Sequence, residues 1–158
     1  MTAQLTMLNS MADRDFEKAL DRHASWNLKW LDLKDSIFGK LITQLSIDEA
    51  RRVAALIQAR GLRVHCFSTT LFADKIEKGE AHFRAQHLAP LAQTLEAARI
   101  LKPAFVRLIV AQSAERKTFA NSAVHVRQKA PWLYELYREA IGQIHEAGFK
   151  ATIENEID

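Results

Sequence analysis

The chain has 158 residues, 22 Lys+Arg against 19 Asp+Glu (net charge +3), and 48% hydrophobic residues. That balance fits one folded domain and excludes a disordered chain, and no apolar run approaches the roughly 20 residues of a membrane-spanning helix. A single cysteine, Cys66, excludes an intrachain disulfide framework, and the lysines and arginines are scattered without forming a nucleic-acid footprint. Residues 1–13 carry neither a basic start nor an apolar stretch of the secretory kind, so a cytoplasmic setting without membrane or nucleic-acid partners is expected.

The first strand is expected at Gln4–Leu8, followed by a helix in which Phe16, Ala19, Leu20 and His23 fall at i, i+3, i+4 and i+7. Leu28–Leu33 reads as the second strand. Ser46-Ile-Asp-Glu49 is a capping box, and the helix it opens carries Ala50, Val53, Ala54 and Ile57. After a strand at Leu62–Ser68, a helix from about His82 to Leu101 carries Leu91, Leu95 and Ala98, with a kink or restart expected at Pro90. Ala104–Val110 is the next strand. The last helix follows Pro131 and carries Leu133, Leu136, Ala140, Ile141 and Ile144, and the last strand covers Lys150–Glu154.

A short repeat supports this parsing. Ile57-Gln-Ala-Arg-Gly61-Leu-Arg63 and Ile144-His-Glu-Ala-Gly148-Phe-Lys150 match in character, and Asn27-Leu-Lys29 is a copy with asparagine in the glycine position. Each reads as helix, left-handed cap, apolar residue, basic residue, strand. The helix before Ala104 ends differently, at Lys102-Pro103. Strands alternating with helices predict a parallel sheet covered by helices. Two α/β architectures fit: a doubly wound five-strand domain, and an incomplete parallel (β/α) barrel of TIM type with about four βα units plus a fifth strand. A complete barrel needs about 250 residues. The first strand runs into Leu8-Asn-Ser-Met-Ala12 and not into a glycine-rich phosphate loop.

Strands buried on both faces read as continuous apolar runs, and several here do not. Trp30, Asp32 and Lys34 share one face while Leu31 and Leu33 take the other; Arg107 interrupts Val106 and Leu108; Thr152, Glu154 and Glu156 share a face. In an α/β barrel, functional side chains gather at the C-terminal strand ends, where Lys34, Ser68 and Glu154 stand. Asp32 and Arg107 lie deeper, and a mutual ion pair is the simplest expectation. Each has a plain structural reading too: Glu154 as a solvated carboxylate, Lys34 as an exposed lysine, Arg107 as a guanidinium orienting carboxylates, His65 as a core histidine and Cys66 as a small hydrophobe. His23, His82, His87, His125 and His145 show no convergent metal spacing, and the five-residue separation of His82 and His87 misses the i, i+4 arrangement of two ligands on one α-helical face.

The ordered series Leu31-Asp-Leu-Lys34, Ile37-Phe-Gly39-Lys40, Leu45-Ser46, Gly61-Leu-Arg-Val-His-Cys-Phe-Ser68-Thr-Thr-Leu-Phe72, Val106-Arg107, Ala147-Gly148 and Ile153-Glu154-Asn155 resembles the sugar phosphate isomerase/epimerase family of xylose isomerase-like barrels. The resemblance implies that residues 1–158 are the N-terminal portion of such a TIM barrel. It also implies a divalent cation (manganese, magnesium, cobalt or zinc) in the complete parent enzyme, and a sugar or sugar phosphate as substrate. Glu154 matches the glutamate that ends the fifth strand as metal ligand and acid/base catalyst. Lys34, Ser68 and Arg107 are the candidate substrate-binding residues. The reaction implied is proton transfer through an enediolate. The other metal ligands of the family, from strands six to eight, have no counterparts here, and Asp158 is no substitute for them. The chain is therefore expected to be inactive alone. Two other readings stand beside this one: a non-catalytic half-barrel that assembles with itself or with a complementary half, and an apurinic endonuclease-like metal hydrolase, which would want further histidines at strand ends.

Overall fold

The computed structural model describes residues 5–118 and 120–155. A short helix α1 (Asn9–Ala12) and α2 (Phe16–Ser25) lead to β1 (Trp30–Leu33), then α3 (Ile47–Ala59) to β2 (Arg63–Ser68). Helices α4 (Glu80–Phe83) and α5 (Ala89–Leu101) precede β3 (Phe105–Ile109), and α6 (Ser122–Lys129) and α7 (Trp132–Glu146) precede β4 (Lys150–Glu154). No helix among the described residues is long and apolar enough to cross a membrane.

The four strands are parallel and stand in the order β1-β2-β3-β4. A doubly wound sheet reverses its strand order at a switch point. This sheet adds each strand beside the last, which is the winding of a barrel. The helix-facing positions Leu31, Leu33, Val64, Phe67, Val106 and Leu108 are buried with α2, α3, α5 and α7 in one core, through residues such as Leu20, Val53, Leu91 and Leu136. The other face is polar and aromatic, with Trp30, Asp32, His65, Arg107 and Thr152 only half-buried.

Among the described residues, the expected first strand does not form. Gln4 lies outside the described residues, as do Glu156 and Asp158 at the other end, and Leu8 makes only an isolated parallel bridge to Asp32. The reason is Asn9, which is fully buried and turns the chain into α1. Its Nδ2 donates to the Asp35 carbonyl at 2.6 Å, and its Oδ1 accepts from the Lys34 N–H at 3.0 Å. The two bonds trade strand pairing for a clamp on the loop after β1.

Pro90 acts upstream of itself. Residues Arg84–Leu88 form a π turn, in which the Ala89 N–H donates to the Arg84 carbonyl five residues back. Proline within a helix removes one N–H and crowds the carbonyl four residues before it, and a widened turn relieves both. The wider turn also overturns the spacing argument against His82 and His87, whose rings come within 6.0 Å of each other.

The capping box forms as read: Ser46 Oγ accepts from the Glu49 N–H at 3.2 Å, and the Ser46 N–H donates to Glu49 Oε2 at 2.9 Å. Lys40 Nζ adds a bond to Glu49 Oε1 at 2.6 Å. These donors, Lys40 foremost, draw the Glu49 carboxyl down from 4.5 to about 2. Because the folded-state value is depressed, the contribution is complete above the ordinary value and lost as pH falls through about 2. Glu49→Gln should therefore flatten the acid limb of urea-unfolding stability between pH 4.5 and 2.

The caps of the repeat also form, with Asn27, Gly61 and Gly148 in the left-handed region (φ 57°, 65° and 88°). Lys102, which lacks the glycine, adopts the same conformation (φ 51°) and its N–H donates to the Ala98 carbonyl. All four helices thus end on a left-handed residue, and at Lys102 a Cβ is forced into a disfavoured backbone region. Lys102→Gly should raise stability by about 0.5–1 kcal/mol in chemical denaturation, the relieved left-handed penalty less the extra entropy glycine gives the unfolded chain.

Candidate functional site at the C-terminal end of the sheet

A one-residue irregularity in β2 decides what faces the open side. Leu31 pairs with Val64 and Asp32 with Cys66, so His65 is an extra residue, a bulge, between them. Beyond it, Phe67 turns to the helices while Cys66 and Ser68 share the open face with Arg107, which pairs with Ser68. On the adjoining strands Arg107 pairs with Thr152 and Ile109 with Glu154. Two layers follow from this register. Near the strand starts, the His65 ring packs between Trp30 and Phe105, at 6.1 and 5.1 Å. Nearer the C-terminal ends lie Asp32, Cys66, Ser68, Arg107 and Glu154.

Arg107 organises the polar layer. Its Nη1 donates to Glu154 Oε2, and its Nη2 donates to the carbonyls of Ser68 (3.1 Å) and Thr69 (3.2 Å). The guanidinium side chain is 14% exposed and the Glu154 side chain 44%. Asp32 is not its partner: Asp32 Oδ1 accepts from Thr6 Oγ1 at 2.9 Å, two strands away. The expected Asp32–Arg107 pair is thus replaced by Arg107–Glu154, because adjacent β4 presents a carboxylate to the fork while β2 stands between Arg107 and β1. The Arg107 Nε is buried without a hydrogen-bond partner.

Of the sequence candidates, the structure brings together Ser68, Arg107 and Glu154. Ser68 is buried, and its carbonyl serves the guanidinium. Lys34 stands half-buried at the end of β1, two strands from Arg107, its N–H held by Asn9. Burial pushes the Cys66 thiol up to about 11, the Asp32 and Glu154 carboxylates add to this, and Ser68 and Arg107 oppose it, so the thiol stays protonated at neutral pH. A groove of about 640 Å³ lies at the opposite end of the strands, lined by Trp30, Arg63, Leu101 and Lys102 among others, and holds none of these candidates.

Two supporting residues escaped the sequence reading. Thr69 Oγ1 donates to the Arg107 carbonyl at 2.5 Å and accepts from the Leu71 N–H at 3.2 Å, fixing the turn after β2. The Ser68-Thr-Thr run was the only signal for it, since hydroxyl residues favour such turns. Tyr137 donates its hydroxyl to the Ile109 carbonyl (2.6 Å), accepts from the Ala111 N–H (2.8 Å) and stacks on Phe72 at 4.4 Å. Burial raises its phenol above the ordinary value. Nothing in its helical spacing distinguished it from a core aromatic.

A parallel sheet wound in sequential order, helices on one side and polar side chains at the C-terminal strand ends of the other, defines a partial α/β barrel. No protein-family model matches the sequence, and no curated protein matches it. Solved structures do, at the level of fold. A xylose isomerase-like TIM barrel protein from Mycobacterium smegmatis in complex with magnesium is 14% identical with a TM-score of 0.68, over 98% of this chain and 55% of that one. An IOLI protein with a bound zinc atom is 9% identical (TM-score 0.67; 97% and 51%). D-psicose 3-epimerase in the presence of D-fructose is 11% identical (TM-score 0.67; 96% and 52%). The chain has the fold of about half of a TIM barrel, and it spans about half the length of these three structures.

The residues placed here do not by themselves fit a divalent cation at Glu154. Such an ion needs several oxygen or imidazole donors around one point. Glu154 offers one carboxylate, already engaged by a guanidinium, and among the described residues no group of three ligating side chains includes it.

The fork predicts unequal costs for its two halves. Arg107→Ala leaves the Ser68 and Thr69 carbonyls and Glu154 without their donor and should cost about 2 kcal/mol. Glu154→Gln, on the more exposed side, should cost less than about 1 kcal/mol. Urea midpoints of the two variants check the order.

Proposed function

We propose that residues 1–158 are the N-terminal portion of a xylose isomerase-like barrel acting on a sugar or sugar phosphate as an isomerase or epimerase. The observation that carries this reading is the Arg107–Glu154 pair, set at the C-terminal strand ends of a fold shared with structures that include an epimerase. A carboxylate in this position suits removal of a proton from the carbon beside a sugar carbonyl, giving an enediolate that is reprotonated on the other carbon or the other face. Arg107 holds the carboxylate in place through its fork and leaves the half-exposed side of Glu154 toward substrate. Ser68 and Lys34 are the candidate contacts for sugar hydroxyls or a phosphate.

The magnesium and zinc bound in neighbouring structures support a divalent cation in the complete enzyme, where it would polarise the carbonyl as a Lewis acid. Glu154 is this chain's candidate donor to it, with the remaining donors coming from outside the described residues. The open polar face and the 49% exposure of Ile153, on the helix side of edge strand β4, favour a complementary barrel half or a second copy of the chain as structural partner.

Deuterium exchange from solvent into ketohexoses, followed by NMR with manganese or magnesium present, tests the reading. The 158-residue chain alone should show no exchange. Supplied with the complementary half of the same kind of barrel, it should exchange, and Glu154→Gln should slow that exchange by about 100-fold or more. Exchange that survives Glu154→Gln, or none in the complemented barrel, overturns the proposal.

A further inference from the structure

Away from the Arg107–Glu154 pair, Asp74, His82 and His87 bring three ligand atoms within 4.8 Å of one another. We propose that Asp74 Oδ2, His82 Nε2 and His87 Nε2 form a binding site for a divalent transition-metal ion of the zinc class, with three protein ligands and a fourth position open to solvent or a small ligand.

The backbone builds the site from two directions. Asp74 sits in the loop after β2, and its carbonyl accepts from the Gln112 N–H at 2.9 Å, while the Ile76 N–H donates to the Gln112 carbonyl at 2.9 Å. This ties the loop to the segment after β3. The two histidines come from the helix that follows. Five residues apart, they would diverge around a regular α-helix, but the π turn at Arg84–Leu88 supplies the extra residue per turn that brings them to one face.

The distances suit the ion. His82 Nε2 lies 2.7 Å and His87 Nε2 3.7 Å from Asp74 Oδ2. Ligand atoms around tetrahedral zinc with bonds of 2.0–2.1 Å stand about 3.3 Å apart, between these two values. Two imidazoles and one carboxylate are donors that zinc, cobalt and nickel prefer over magnesium or calcium.

A second observation points to a missing partner. His87 is 8% exposed, and its Nε2 is buried with no hydrogen bond, although it faces the carboxylate. Hydrogen bonding within the cluster satisfies Asp74 and His82 but leaves this nitrogen alone, and a buried polar atom without a partner calls for a bound group. Phe72 stacks on the His87 ring at 5.8 Å and Phe83 packs at 4.9 Å, fixing its orientation. Burial, only partly offset by Asp74, lowers the His87 pKa below its ordinary value and favours the neutral, ligating form. Lys78 Nζ also contacts Asp74, at 2.7 Å from Oδ1, and its half-exposed side chain is free to swing out when the ion enters. No residue of this cluster belongs to the Arg107–Glu154 pair, so the inference stands apart from the proposed isomerase chemistry.

Titration of the chelator-treated 158-residue chain with Co²⁺ and Zn²⁺, read by Co²⁺ visible absorption and calorimetry, tests it without any assay of activity. One ion per chain is expected, with the intense visible bands of low-coordinate Co²⁺, displaced by Zn²⁺. His82→Ala and Asp74→Asn, both at partly exposed positions, should each weaken binding by about 100-fold or more, at least matching the loss of an outer-shell partner. His87→Gln should do the same, with circular dichroism establishing that each variant is folded. Absence of stoichiometric binding in the unmodified chain, or binding unchanged in both folded His82→Ala and Asp74→Asn, overturns the proposal.

Discussion

The register of β2 is the constraint on which the site depends. Side chains alternate along a strand, so a slip of one residue exchanges its two faces. Were His65 paired as an ordinary strand residue, Val64, Cys66 and Ser68 would share a face, and either Val64 would leave the core or Ser68 would enter it. The bulge lets Val64 and Phe67 both meet the helices while Cys66 and Ser68 face Arg107. It also places the His65 ring between Trp30 and Phe105, so the irregularity fills the lower layer of the open face as it sets the upper one.

Above that register, Arg107 joins three strands. Its own is β3; the carbonyls it binds end β2; the carboxylate it pairs with ends β4. A guanidinium fork with five donors can hold all three at once, whereas a lysine point charge cannot. The pair is therefore structural and chemical together. It secures the strand ends on the face where barrel enzymes work, and it orients the Glu154 carboxylate there.

Much of the fold was legible because buried faces repeat with fixed periods. Phe16, Ala19, Leu20 and His23 are all buried as their helical spacing required, and β4 falls on Lys150–Glu154. The left-handed caps followed from glycine and asparagine chemistry, and Lys102 shows the same turn imposed by tertiary structure on an unsuitable residue. The failures were long-range or non-periodic. No local pattern marks Asn9 as a buried clamp, since its partners lie about 25 residues away in the loop after β1. The partner of Arg107 depended on which strand stands beside β3, which the sequence alone does not order. The histidines were judged by α-helical spacing, and the π turn changed the period itself.

That π turn amounts to a single residue inserted into an α-helix and absorbed there without breaking it. Each residue of a regular helix advances the side-chain direction by about 100°. Deleting one position from Arg84–Leu88 would let the helix close into ordinary turns, at the expense of rotating His82 relative to everything after Pro90. The helix keeps its packing against the sheet from Leu91 onward, so the rotation would fall on the end that carries His82 and Phe83. The alignment of Asp74, His82 and His87 is thus a matter of residue count, and length variation in this segment would create or erase it in one step.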